Sequence, residues 1–183
     1  MVLQNMNRHK IIPLFALGAI IIQLSGCASP AEVSNMTTQM DNSRQASPTS
    51  PYFNNINISS VGGGSETNPL WTSQVSSEDF KSALEGTLRN ARLLGSPDAR
   101  YQLAAEIKEL DQPLIGINMT VDMSVLYTIK DKQTGNVVFN DKINSSFTGT
   151  MGDSVVGIKR LRLANEGTVR NNFDFLLQKI LKK

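Results

Sequence analysis

Between Ile117 and Lys130 the chain alternates. Ile117, Met119, Val121, Met123, Val125, Tyr127 and Ile129 are apolar, and Asn118, Thr120, Asp122, Ser124, Thr128 and Lys130 between them are polar. Successive side chains of a strand point to opposite faces, so a period of two over this length dictates a long strand with one buried face. The same period assigns Met119 and Met123 to core packing rather than to a ligand groove. The polar run Asp131-Lys132-Gln133-Thr134-Gly135-Asn136 turns the chain back, and Val137, Phe139, Ile143 and Phe147 line a partner strand. Asp141 falls on the inward register of that partner. An unpaired buried carboxylate is costly, so a bulge or fraying is expected there.

Two helical patterns and two further strands complete the domain. Ile56 to Val61 reads as a short first strand, ended by Gly62-Gly63-Gly64-Ser65 as a flexible connection. No Gly-Lys-Ser/Thr follows these glycines, so they do not form a phosphate-binding loop. From Ser76 to Leu94, Phe80, Ala83, Leu84, Thr87, Leu88 and Ala91 recur at helical spacing; Ser76 with Asp79 approximates a capping box, and Gly95 marks the stop. After the turn Gly95-Ser96-Pro97-Asp98 the period returns to two, with Tyr101, Leu103, Ala105 and Ile107 on one side. A final helix from Ile158 to Leu181 turns Leu161, Ala164, Thr168, Phe173, Leu176, Leu177 and Ile180 inward. Asn171 and Asn172 in its middle are poor helix formers with no evident role. The order β-α-β-β-β-α predicts an α+β two-layer sandwich: about four mainly antiparallel strands with both helices on one face.

The first 26 residues have a different character. Arg8, His9 and Lys10 form a positive start and Ile11 to Ile22 an apolar run too short to cross a bilayer comfortably, since about 20 residues are needed. Leu24-Ser25-Gly26-Cys27 then resembles the lipobox of bacterial lipoproteins. The resemblance implies cleavage between Gly26 and Cys27, a diacylglycerol thioether on Cys27 and acylation of its new amine. Ala28 and Ser29, in place of an Asp after the lipidated Cys, imply sorting to the outer membrane. Residues 1–26 are thus expected to be a signal peptide, 27–54 the lipidated Cys and a disordered tether, and 55–183 a periplasmic domain. In the tether, 16 of the 27 residues from Ala28 to Asn54 are Ser, Thr, Pro, Asn or Gln, a composition unsuited to a core. As a coil it would reach roughly 30 Å, although Tyr52, Phe53 and Ile56 leave open that its end packs on the domain as an irregular arm.

Composition then narrows the function. Cys27 is the only cysteine and His9 the only histidine. The expected mature chain therefore has no histidine for acid–base or metal work and no free thiol. It carries 16 basic and 16 acidic side chains, which gives nucleic-acid binding no support. No enzyme activity, cofactor or metal is expected; Glu106 and Glu109 read as solvated carboxylates. Candidate interface residues are Trp71, in the loop before the first helix, and Lys159, Arg160 and Arg162, whose charges could grip phosphates or simply be solvated. With Phe80 to Leu84 as a Phe-x-x-Ala-Leu segment and Tyr101 to Ile107 as the following strand, the chain resembles the small periplasmic domains of Gram-negative envelope lipoproteins. These include auxiliary lipoproteins of ABC-type lipid transport and the N-terminal domain of the Tol-system propeller protein. The resemblance implies an adaptor fold and carries over no functional residue. The expected function is that of a non-catalytic outer-membrane lipoprotein, held to the membrane by its N-terminal lipid, whose periplasmic domain binds an envelope protein partner. The alternative is a carrier holding a lipid or other apolar ligand between sheet and helices.

Overall fold

Four strands form one sheet in the order in which they occur: β1 (Ile56–Gly62), β2 (Tyr101–Asp111), β3 (Met119–Asp131) and β4 (Val137–Gly149). The computed structural model describes residues 29–67 and 73–182. Strand β1 runs parallel to β2, and β2–β3 and β3–β4 are antiparallel. A parallel neighbour requires a crossover, here supplied by helix α2 (Ser77–Asn90). With helix α3 (Gly157–Leu181), α2 covers one face of the sheet, giving the expected α+β two-layer sandwich.

The period-two pattern is realised over thirteen residues of β3, with Val121, Met123, Val125, Tyr127 and Ile129 at most 2% exposed. Ile117 does not join it: β3 begins at Met119, and Ile117 is exposed in the preceding loop. Asp141 lies in regular register opposite Tyr127, so the bulge expected there is absent. Its half-buried carboxylate is instead paired with Lys179 of α3, and the register shift falls beside Val138.

Ser76 caps α2 by accepting from the Asp79 N–H at 3.0 Å while its hydroxyl donates to the Asp79 carboxylate at 2.8 Å. The helix ends earlier than the glycine at 95 implies. Arg92 takes the left-handed conformation (φ 55°), and the Leu93 N–H reaches the Leu88 carbonyl at 2.8 Å while the Arg92 N–H reaches Arg89 at 3.1 Å. This pair of bonds is a Schellman stop, and Leu88 and Leu93 are both fully buried beside it. Gly62-Gly63-Gly64 is not a loose connection either. Gly63 has φ +81°, and a side chain there would meet the Ile107 carbonyl at 2.0 Å, so the glycines let the chain cross close over β2.

Between the layers, Phe80 of α2 and Phe173 of α3 meet edge to face at 4.8 Å between centroids. Gly167 brings α3 against β4: a Cβ there would lie 2.3 Å from the Phe147 ring. The mid-helix asparagines have defined roles. Asn172, fully buried, accepts from the Tyr127 hydroxyl at 2.8 Å and donates to the Ile143 carbonyl and to Ser145 Oγ, each at 3.0 Å. Asn171 donates to the Ser146 carbonyl at 2.9 Å. Burial raises the Tyr127 pKa well above the ordinary phenol value, so the hydroxyl remains a donor across the physiological range.

The segment before β1 corrects the tether expectation. Residues 29–55 form an arm laid across the helices, with helix α1 (Val33–Met36) and a 3-10 turn at Asn42–Arg44. Ala31, Met36, Ala46 and Tyr52 are buried, and Tyr52 packs edge-on against Tyr101 at 4.7 Å. Few apolar residues suffice because polar ones also find partners: Thr38 N–H donates to Thr87 Oγ1 at 3.0 Å, and Asn90 Nδ2 to the Thr38 carbonyl at 2.9 Å.

The interior polar contacts can be tested by substitution. Tyr127→Phe and Asn172→Leu should each lower unfolding free energy by about 1–3 kcal/mol, by stranding a buried partner. The double variant should lose clearly less than the sum, because both polar groups are then gone; urea unfolding of all four proteins measures the coupling. At the β3–β4 turn, Arg100 grips Asp131 in a fork, Nε to Oδ1 at 3.0 Å and Nη2 to Oδ2 at 2.7 Å. This holds the Asp131 carboxyl far below the usual range, with the Gln133 N–H also donating. A depressed carboxylate pKa adds stability above the unfolded value, near 4, and loses it as pH falls toward the folded value. Melting curves should therefore show wild type above Asp131→Asn at pH 7 and the gap closing steadily below about pH 4.

Candidate functional site

One end of the sandwich gathers the unusual surface features. Here β2 ends, β3 begins, β4 ends and α3 begins. The two loops involved, 112–118 and 150–156, expose apolar side chains: Leu114 is 86% exposed, Ile115 89%, Ile117 76% and Val155 80%. Met151 and Val156 are exposed beside them. Beneath lies a small apolar cluster of Met119, Val121, Leu161 and Ala164.

Arg160 ties the two loops together. Only 5% exposed, it donates from Nη1 to the Ser154 carbonyl at 2.9 Å and from Nη2 to the Gly116 carbonyl at 3.2 Å. The 150–156 loop is closed on itself by Asp153, whose carboxylate accepts from the Thr150 N–H and hydroxyl at 2.8 and 2.7 Å. Those two bonds lower the Asp153 pKa and keep it charged but locally satisfied.

The start of the described chain belongs to the same end. The Ser29 carbonyl accepts from Ser73 Oγ at 2.8 Å, the Ser73 carbonyl from Asn165 Nδ2 at 2.8 Å, and Asn165 Oδ1 from Gln112 Nε2 at 2.8 Å. Asn165 is fully buried, and Gln112 is two residues from Leu114. Next along α3, Glu166 is 2% exposed and accepts from the Glu32 N–H at 2.9 Å and Asn35 Nδ2 at 3.0 Å. Arg162 sits 3.6 Å from Glu166 and donates to Glu32 at 3.0 Å. A buried carboxylate needs such partners, and it draws them from residues more than 130 positions away.

The cations singled out in the sequence are thereby separated. Lys159 is exposed, Arg160 is buried and Arg162 is engaged with Glu32 and Glu166, so they do not form one phosphate-gripping surface. Gly26, Cys27 and Trp71 lie outside the described residues. Glu106 is bound by Lys108 at 2.6 Å, in keeping with a solvated role. The outer face of the sheet carries a shallow groove lined by Glu109, Asp111, Asp122, Ser124, Lys142 and Asn144. Among the described residues no group of three His, Cys, Asp or Glu side chains is placed to hold a metal, and no helix is long and apolar enough to cross a membrane. The exposed apolar loops are what sequence reasoning overlooks. The run Pro113-Leu114-Ile115-Gly116-Ile117 carries the signal, but the alternating pattern of the strand absorbs Ile117.

No protein-family model matches the chain, and no curated protein shows significant sequence similarity to it. Solved structures share its fold. Protein XCC0632 from Xanthomonas campestris, of the DUF330 family, superposes with a TM-score of 0.57 at 9% identity, over 80% of this chain and 93% of that one. A minor lipoprotein from Acinetobacter baumannii gives 0.46 at 10% identity, over 71% and 94%. The PelC dodecamer from Paraburkholderia phytofirmans gives 0.47 at 17%, over 75% and 93%. At these identities the likeness is one of fold, and the first comparison carries it: an α+β sandwich shared over nearly the whole of the other chain.

Arg160→Met keeps the packed stem and removes both loop ties. Amide hydrogen exchange should quicken in 112–118 and 150–156 while the central residues of β3 keep their protection. Stability should fall by about 1–3 kcal/mol, since two loop carbonyls lose a charged donor.

Proposed function

We propose that this chain is a non-catalytic lipoprotein of the bacterial outer membrane, anchored through lipid on Cys27, with a periplasmic domain that acts as an adaptor for another envelope component. The observation that carries this reading is the position of Ser29. It is bonded into the domain only two residues after the cysteine of the Leu24-Ser25-Gly26-Cys27 pattern. Lipid there would hold the domain directly at the membrane and orient it, which suits presentation of a surface to a partner. Multiple acyl chains make such an anchor firm.

The adaptor reading is favoured over the carrier by the interlayer space, which is filled by Phe80, Leu84, Leu103, Tyr127, Phe173 and Leu176, none exposed. The polar side chains that could serve chemistry, Asn165, Glu166 and Asn172, are bonded within the fold. What faces outward is the uncovered side of the sheet, where Thr120, Asp122, Lys130, Asn140, Lys142 and Asn144 are exposed.

Metabolic labelling with an alkyne fatty acid tests the anchor. The wild-type chain should take up label and float with outer-membrane fractions, and Cys27→Ser should do neither. Native mass spectrometry of the Cys27→Ser protein tests the rest: a stoichiometric bound lipid would sink the adaptor in favour of the carrier.

A further inference from the structure

We infer that the end of the fold carrying loops 112–118 and 150–156 is a membrane contact, with Leu114, Ile115, Ile117 and Val155 seated at the boundary between headgroups and acyl chains. The inference rests on the lipid-anchor reading of Cys27 and deepens it. Two residues of extended chain reach only about 7 Å, so a lipid on Cys27 holds Ser29 close to the bilayer surface. Ser29 is joined to the 112–118 loop through Ser73, Asn165 and Gln112. Whatever lies at that loop is therefore near the membrane as well.

Four large apolar side chains at least 76% exposed on two adjacent loops are costly in water. Their arrangement is not accidental slack, because buried Arg160 holds both loops by their carbonyls and fixes the apolar tips as one surface. The adjoining charges are compatible with headgroups. Lys159 is exposed in the first turn of α3, suited to lipid phosphate, while the Asp153 carboxylate is turned back onto Thr150. A protein covering the same tips would have to enter the gap that the short link to Cys27 leaves, which favours lipid as the occupant.

The test uses the full-length, processed protein, reconstituted in vesicles of phosphatidylethanolamine and phosphatidylglycerol. Ile115→Cys, Val155→Cys and, at the far end of β4, Val137→Cys each place an environment-sensitive fluorophore at an exposed site. An acylated Cys27 leaves the introduced cysteine as the only thiol. The labels at 115 and 155 should be blue-shifted and quenched several-fold more strongly by shallow nitroxide-labelled lipid than the label at 137. Adding Leu114→Asp should reverse the shift at 115. If the chain is fully acylated by mass and the labels at 115 and 155 match that at 137, the membrane contact is overturned while the anchor stands. If those labels shift only on addition of envelope proteins, a protein covers the patch and the lipid assignment is equally overturned. A mass without acyl chains, with a second reactive thiol at Cys27, removes both the anchor and the contact.

Discussion

Helix α3 carries polar groups into the interior at Asn165, Glu166, Thr168 and Asn172, and the rest of the structure is arranged to satisfy them. An unpartnered buried amide or carboxylate costs more than a typical contact returns. Each of these side chains consequently dictates the position of something remote. Asn172 fixes Tyr127 and the middle of β4, and Ser145 Oγ donates to the Thr168 carbonyl at 2.9 Å and lies 3.4 Å from the Thr168 hydroxyl. Glu166 draws in Glu32 and Asn35, and Asn165 holds Ser73 and Gln112. A wholly apolar α3 would bind the sheet as well or better, but it would leave the arm and the loops without defined places.

Local pattern makes the layers legible in the sequence. The alternation from Met119 to Ile129 specifies a buried strand face, and the spacing of Phe80, Ala83, Leu84 and Leu88 specifies a helix stripe, because each depends on residues a few positions apart. The arm at 29–55 escapes such a reading for the complementary reason. Its composition is that of a linker, and its order comes from partners on α2 and α3 that no window of sequence contains. Arg92 stopping α2 in a left-handed conformation is hidden in the same way, since Gly95 nearby offers a cheaper reading.

The candidate site is not legible in the sequence as a unit. Lys159, Arg160 and Arg162 look alike as charges, and their spacing along a helix gives no warning that one is buried under two loops. The apolar tips at Leu114, Ile115 and Val155 are also invisible as a unit, because Val155 follows Ile115 by 40 residues and shares its end of the sandwich only through the placing of the β2–β3 and β4–α3 connections. Surfaces assembled from loops require topology first.

The arm has a further consequence for the order in which this chain acquires structure. Its bonds to Glu166 and Arg170 close loops of more than 130 residues, contacts of very high sequence separation, whose closure entropy must be met before they return anything. The stretch of the arm around Glu32 and Asn35 is therefore fastened only after the C-terminal helix exists, whereas Thr38 and Ala46 find their partners on α2 at much shorter separation. A chain arranged this way can dock the rear of its arm on α2 early, while the stretch around Glu32 and Asn35 stays pliable until the last helix has packed.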